Sequence, residues 1–110
     1  MLETLLLKDD KVERCGLVLK DGSTVEIANL AENPEEGFEM SAEEALPYIE
    51  AENVSGTWHT HPKSDPTLSG EDYKGFLAWP ELEHSIIGRR KGKVVVTRYR
   101  IEDGIVVVCA

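Results

Sequence analysis

Two histidines one residue apart, stopped by a proline, constrain this chain more than any other feature. The stretch reads Trp58-His59-Thr60-His61-Pro62, then Lys63 to Leu68, then Ser69-Gly70-Glu71-Asp72. Residues two apart on a strand point to the same side, so His59 and His61 can face one point together. Pro62 ends the strand. Ser69 opens a helical stretch as N-cap of an S-x-x-[DE] helix start, and Asp72 falls in its first turn. Two imidazoles and one carboxylate make a three-ligand set for zinc with the fourth position open for water. A catalytic site needs that opening, whereas a structural site is closed by a fourth protein ligand. Taken singly, each part also has a plain structural reading: a capping box, and two strand-end histidines of which one is exposed.

The chain has 110 residues, enough for one core and too few for two, so a single domain over 1–110 is expected. It carries 21 acidic and 12 basic residues, a net charge of −9. Nucleic acid and anionic membrane are poor partners for such a surface. The one cationic run, Arg89-Arg90-Lys91-Gly92-Lys93, reads as a hairpin tip. Cys15 opens one apolar run and Cys109 closes another, and no C-x-x-C occurs, which excludes a Cys-rich zinc site. Free buried thiols in a reducing compartment are the expectation, with a Cys15–Cys109 disulfide between neighbouring strands as the alternative. The apolar run near Met1 is too short for a signal peptide and nothing reaches transmembrane length, so a cytoplasmic location is expected.

Punctuation along the chain divides it into elements. Met1 to Leu7 is a short helix or irregular lead-in. Cys15 to Lys20 and Ser23 to Leu30 form strands around Asp21-Gly22, a two-residue hairpin signal. Glu32 to Glu39 is a surface loop. Ser41-Ala42-Glu43-Glu44 is a capping box opening a helix to about Glu52, which Pro47 should kink or shorten. Val54 to His61 is a strand and Ser69 to about Trp79 a helix ended by Pro80. Glu83–Arg90, Val94–Ile101 and Ile105–Cys109 are three strands joined at Lys91-Gly92 and Asp103-Gly104. The order β-β-α-β-α-β-β-β predicts an α+β, three-layer α-β-α domain with a single mixed sheet and flanking helices. Trp58 and Trp79 read as core anchors, and His84 as a surface strand residue.

The spacing His59-x-His61, seven residues, Ser69-x-x-Asp72 resembles the H-x-H-x(7)-S-x-x-D signature of JAMM/MPN (Mov34/JAB) zinc metallopeptidases. Two other segments support the likeness. Glu13-Arg14-Cys15-Gly16-Leu17 is similar to the E-x-C-G-[LIV] form of bacterial and phage members. Asn29-Leu30-Ala31-Glu32-Asn33-Pro34, with Phe38 and Met40, is similar to the N-[IV]-A-x-x-P…F-x-[IL] segment of phage tail-assembly versions. The resemblance spans about Glu13 to Trp79.

It implies a JAMM, cytidine-deaminase-like architecture and one Zn2+ per chain, held by His59, His61 and Asp72. It also implies Glu13 as general base and Ser69 as a hydrogen-bond donor to the reacting carbonyl oxygen. Zinc lowers the pKa of its water from ~15.7 to about 7, which makes amide hydrolysis accessible at neutral pH. The implied activity is a zinc metallopeptidase or isopeptidase. Its substrate is a peptide or protein, of the ubiquitin-like or sulfur-carrier kind with a Gly-Gly tail. The alternative, from another class, is a non-catalytic phage tail-assembly or scaffold module that keeps the fold and the metal. The natural substrate and the oligomeric state, homodimer included, stay open. Other H-x-H chemistries fit less well. Metallo-β-lactamases want H-x-H-x-D-H where Lys63-Ser64 stand, and zinc deaminases need H-x-E and P-C-x-x-C. A thiol protease built on Cys15 lacks a local signature, and an apolar strand disfavours the thiolate.

Overall fold

The computed structural model describes residues 2–109. Lys91-Gly92 and Asp103-Gly104 each have positive φ at both positions (53° and 78°; 52° and 77°). That conformation matches the twist of the flanking strands and closes two-residue hairpins. They join β4 (Glu83–Arg90), β5 (Lys93–Glu102) and β6 (Ile105–Val108) into an antiparallel meander. The first hairpin differs from the expected two-residue form. Its strands β1 (Cys15–Leu19) and β2 (Thr24–Ile27) are closed by Leu19 N–H donating to Ser23 O at 2.8 Å. Lys20, Asp21 and Gly22 form the loop, with Gly22 alone at positive φ, the geometry of a longer bulged turn.

Between the hairpins lie α1 (Ala42–Glu50), β3 (Val54–Thr60) and α2 (Gly70–Leu77). The six strands form one sheet in the order β2-β1-β3-β4-β5-β6, antiparallel except for the parallel β3–β4 pair that α2 bridges. The fold is therefore α+β with a single mixed sheet, as expected. Its helical layers are unequal. Register aligns Leu17, Thr57, His84 and Tyr99 on one face, and that face carries both α1 and α2. The other face presents Val18, Trp58, Ile87 and Val96, covered by the short 3-10 turn Leu2–Leu5 and by Leu6. Met1, part of the expected lead-in, lies outside the described residues.

Local sequence accounts for both helices. Ser41 Oγ accepts from Glu44 N–H, but Glu44 does not return the bond as a full capping box would. Its carboxylate accepts from Ala28 N–H at 3.1 Å, tying α1 to the end of β2. The α1 helix passes through Pro47 and stops at Glu50, with Ala51 as C-cap. At α2 the capping box is complete: Asp72 N–H donates to Ser69 Oγ at 3.1 Å and Ser69 N–H to Asp72 Oδ2 at 3.2 Å.

Cys15 is free and buried in β1, and Cys109, also free, follows β6. The strands β3, β4 and β5 lie between them, so they are not on neighbouring strands and the disulfide alternative is set aside.

One glycine positions the site. A Cβ at Gly88 on β4 would lie 2.5 Å from Ser64 O and 2.6 Å from Pro66 N, so only glycine lets the 63–68 loop rest on the strand. Gly88→Ala is expected to lift that loop. It would weaken the Arg89 N–H bond to Ser64 O (2.8 Å) and the Asp65 O contact to His61 Nδ1 (3.0 Å). A loss of roughly 1–3 kcal/mol should follow, read by thermal unfolding. An unchanged melting temperature together with an unchanged His61 ring N–H resonance would refute it.

Candidate metal centre

The register of β1 against β3 pairs Cys15 with His59. Continuing it by two residues sets Glu13 opposite His61, and both side chains emerge on the helix-bearing face. One backbone bond and one side-chain bond keep the strands together there: Thr60 N–H donates to Arg14 O, and Arg14 N–H to Thr60 Oγ1, both at 2.9 Å. From the other side α2 brings Asp72 in its first turn. Phe76, one turn later, buries the same helix face against Ile86 and Tyr99. The chain thus draws together Glu13, His59, His61 and Asp72, residues that the sequence had proposed for one site. All four are buried, with exposures of 8% or less.

The distances are informative. His59 Nε2 and His61 Nε2 lie 3.2 Å apart. The Asp72 carboxylate is 3.2 Å from His59 Nε2 through one oxygen and 3.4 Å from His61 Nε2 through the other. Nitrogen and oxygen ligands of one tetrahedral metal ion lie roughly 3.3 Å apart, so the three side chains are close enough to share an ion, with Asp72 facing the two imidazoles through different oxygens. Glu13 is also near: its carboxylate and the two imidazoles have ligand atoms within 4.8 Å of one another. Glu13, His59 and His61 could therefore hold a metal as well, and Asp72 competes for the carboxylate position. Either carboxylate could thus complete a set with the two imidazoles.

Protonation separates the two carboxylates. Burial opposes the Asp72 anion, but hydrogen bonds to His59 and His61 outweigh it and hold Asp72 well below the usual carboxylate range. Burial is the main influence on Glu13 too; with the Asp72 and Glu71 charges nearby it raises Glu13 to about 7, against the opposing pull of His61. Burial pushes His59 down. Burial also disfavours the His61 cation, but Asp72, the Asp65 carbonyl and Glu13 together raise it. Because a carbonyl only accepts, His61 Nδ1 carries a proton toward Asp65 O, and Nε2 is left facing the site. His59 Nδ1 is buried without a hydrogen-bond partner, and Phe38 stacks on its ring at 4.3 Å.

A carboxyl whose folded pKa is raised stabilises fully below its unfolded value and loses that contribution as pH rises through the folded one. Metal-free protein is therefore expected to lose stability relative to Glu13→Gln between pH 4.5 and about 7. Denaturant unfolding of both proteins at pH 5 and pH 8 measures this. Equal stability differences at the two pH values would mean that Glu13 is not perturbed.

Ser69 is exposed at the rim, and its oxygen already accepts the cap N–H, so its hydroxyl proton remains available to donate outward. Two sequence expectations need correction. His84 is buried at 2%, not on the surface. Its Nδ1 lies 2.7 Å from Thr57 Oγ1, its Nε2 3.0 Å from Trp79 O, and its ring stacks on Phe76 at 4.3 Å. It fixes α2, and hence Asp72, to the sheet, and the apolar Ile86-Ile87 pair beyond it was the signal for a covered strand. Trp79 is no core anchor: it is 45% exposed, because the chain leaves α2 at Leu77 before that side chain can turn inward. Trp58, by contrast, is fully buried.

A cleft of about 1160 Å³ opens beside Glu13, His61 and Asp72 and continues between α1 and α2. The loop residues Ser64, Thr67 and Leu68 form part of its wall.

No family model matches the chain. A protein of Haloferax volcanii named desampylase is 31% identical over 83 residues, which cover 66% of this chain and 59% of that protein. The chain thus spans well under two thirds of the curated relative it matches. The solution structure of protein DSY2949 from Desulfitobacterium hafniense superposes with a TM-score of 0.74 at 25% identity, over 97% of this chain and 82% of that one. A Salinibacter ruber protein structure aligns at a TM-score of 0.48 and 18% identity, over 86% and 70% of the two chains. Among the described residues no helix is long and apolar enough to cross a membrane.

Proposed function

We propose that this chain, as a single domain over 1–110, is a JAMM/MPN-type zinc-dependent hydrolase of peptide or isopeptide bonds. The observation that carries the reading is the convergence of His59, His61 and Asp72 within 3.4 Å of one another, with Glu13 buried beside them at the end of an open cleft. Likeness to a desampylase supports an isopeptide bond to a small protein modifier as the target, ubiquitin-like or sulfur-carrier-like with a Gly-Gly tail.

In this reading His59, His61 and Asp72 hold zinc, which supplies the Lewis acidity that makes a water molecule nucleophilic at neutral pH. His61 is aimed by the Asp65 carbonyl and His59 by Phe38. Glu13, buried beside them, would accept the proton of the attacking water and return it to the leaving amine nitrogen. The Ser69 hydroxyl, anchored by the cap, donates to the carbonyl oxygen as negative charge develops on it.

The test is incubation of the zinc-loaded protein with Gly-Gly-linked isopeptides and a peptide panel, with and without chelator. Cleavage that chelator abolishes and added zinc restores is expected. Protein that binds zinc stoichiometrically and cleaves none of the panel would leave the scaffold reading in possession.

A further inference from the structure

Glu13 sits just past the end of the ladder that β1 makes with β2. The last pair at that end is Cys15 with Ile27, and continuing the register would set Asn29 opposite Glu13. There the chain has turned away: Asn29 bridges Met40 instead, Leu30 N–H donates to Glu39 O at 2.8 Å, and Ser41 N–H donates to Ala28 O at 3.0 Å. These bonds close the neck of a loop over 30–39. The Glu13 backbone is met on that side by the loop and by the Asn29 side chain, in place of a strand.

The Asn29 amide makes four hydrogen bonds, all to backbone. Its Nδ2 donates to Glu13 O at 2.8 Å and to Gly37 O at 3.1 Å; its Oδ1 accepts from Glu39 N–H at 2.9 Å and from Ala31 N–H at 3.0 Å. An asparagine amide has two donors and two acceptor lone pairs, so its whole capacity is used. A flipped amide would set Oδ1 against two carbonyl oxygens, which fixes the orientation. Aspartate offers no donor, serine and threonine offer one, and glutamine is a methylene longer. The loop so held meets the candidate metal centre twice. Pro34 O accepts from Glu13 N–H at 2.6 Å, and Phe38 stacks on the His59 ring at 4.3 Å. Gly37 and Glu39, the residues on either side of Phe38, are both bonded to Asn29.

We propose that Asn29 is a positioning residue, whose one amide sets Glu13 and the His59 ring relative to each other. It acts on Glu13 through the carbonyl of Glu13 and through Pro34, and on His59 through Phe38. His59 and His61 are carried by β3 and its end, and Asp72 by the cap of α2, so metal capture does not depend on it. Misplacement of a reacting group by about 1 Å costs up to roughly 10²-fold in rate. The inference rests on the hydrolase reading for its effect on turnover, whereas the link between the two side chains stands on the hydrogen bonds alone.

The test has two arms and two variants. Asn29→Ala removes all four bonds; Asn29→Asp keeps the acceptor for Ala31 and Glu39 but cannot donate to Glu13 O, and it serves if the alanine variant does not fold. The first arm is NMR on metal-free protein. Hydrogen exchange at Glu13 N–H is expected to speed up roughly tenfold or more, and the His59 ring protons to lose the shift imposed by the Phe38 ring. Thr60 N–H, bonded to Arg14 O, should keep its protection. The second arm is turnover of a Gly-Gly-linked isopeptide by zinc-loaded protein. Either variant should lower kcat roughly 10- to 10²-fold with KM and zinc content unchanged, yet cost nothing further in a Glu13→Gln background. A merely structural role would lower both backgrounds alike. Unchanged Glu13 exchange and His59 shifts, or a full loss of kcat added to that of Glu13→Gln, would overturn the proposal. The expected NMR changes in a protein that cleaves nothing when zinc-loaded would sink the hydrolase reading and leave Asn29 as the link between the two side chains.

Discussion

Glu13→Gln is expected to keep its fold and its zinc while losing roughly 10²–10⁴-fold in turnover, the usual contribution of a positioned acid–base group. Glutamine preserves the size of the side chain and its hydrogen-bonding atoms, and the backbone around it is held independently. Glu13 N–H donates to Pro34 O at 2.6 Å, and Glu13 O accepts from Asn29 Nδ2 at 2.8 Å. The amide cannot take a proton, so only the chemical step should suffer. A Glu13→Gln protein with wild-type turnover would remove Glu13 from the reaction. A variant that lost zinc along with activity would instead make Glu13 a ligand, the other arrangement that its closeness to His59 and His61 allows.

Zinc itself gives the second large effect. The purified chain is expected to hold about one zinc, and His59→Ala and Asp72→Asn to hold none. Only the folded chain gathers the three ligands, so free zinc at a thousandfold over its Kd should stabilise the fold by about 4 kcal/mol. Chelator should reverse that gain. Imidazole must be neutral to ligate, so zinc retained after dialysis should be lower at pH 5 than at pH 7.5. Elemental analysis with paired melting curves decides the matter. A zinc-supplemented wild type that carries no metal and melts with His59→Ala would end the zinc reading.

The legible part of the site was the part written locally. His59, His61, Ser69 and Asp72 fall within fourteen residues, and strand alternation, a stopping proline and a capping box fix their orientation with little help from distant chain. Glu13 lies 46 residues before His59 and has no local mark; only its resemblance to an E-x-C-G segment singled it out. Its seat opposite His61 depends on the pairing of β1 with β3, which no periodicity encodes. His84 and Trp79 were misjudged for one reason. Whether a strand residue is covered, or a residue after a helix turns inward, depends on where α2 lands on the sheet and at which residue it ends. The hairpin at Asp21-Gly22 was legible as a turn, but its length depends on which residues close the ladder.

The parallel pairing of β3 with β4 bears on the order in which the molecule assembles. The β1–β2, β4–β5 and β5–β6 hairpins join near neighbours in sequence and lose little chain entropy on closure. The β3–β4 pair must wait for the whole α2 crossover, from Gly56 beside Glu83 to Thr60 beside Ile87. His59 and Asp72 meet only once that crossover has docked. A metal held there would bind only after this closure and the longer one that sets Cys15 beside His59, so it would slow unfolding and leave the speed of folding to the chain.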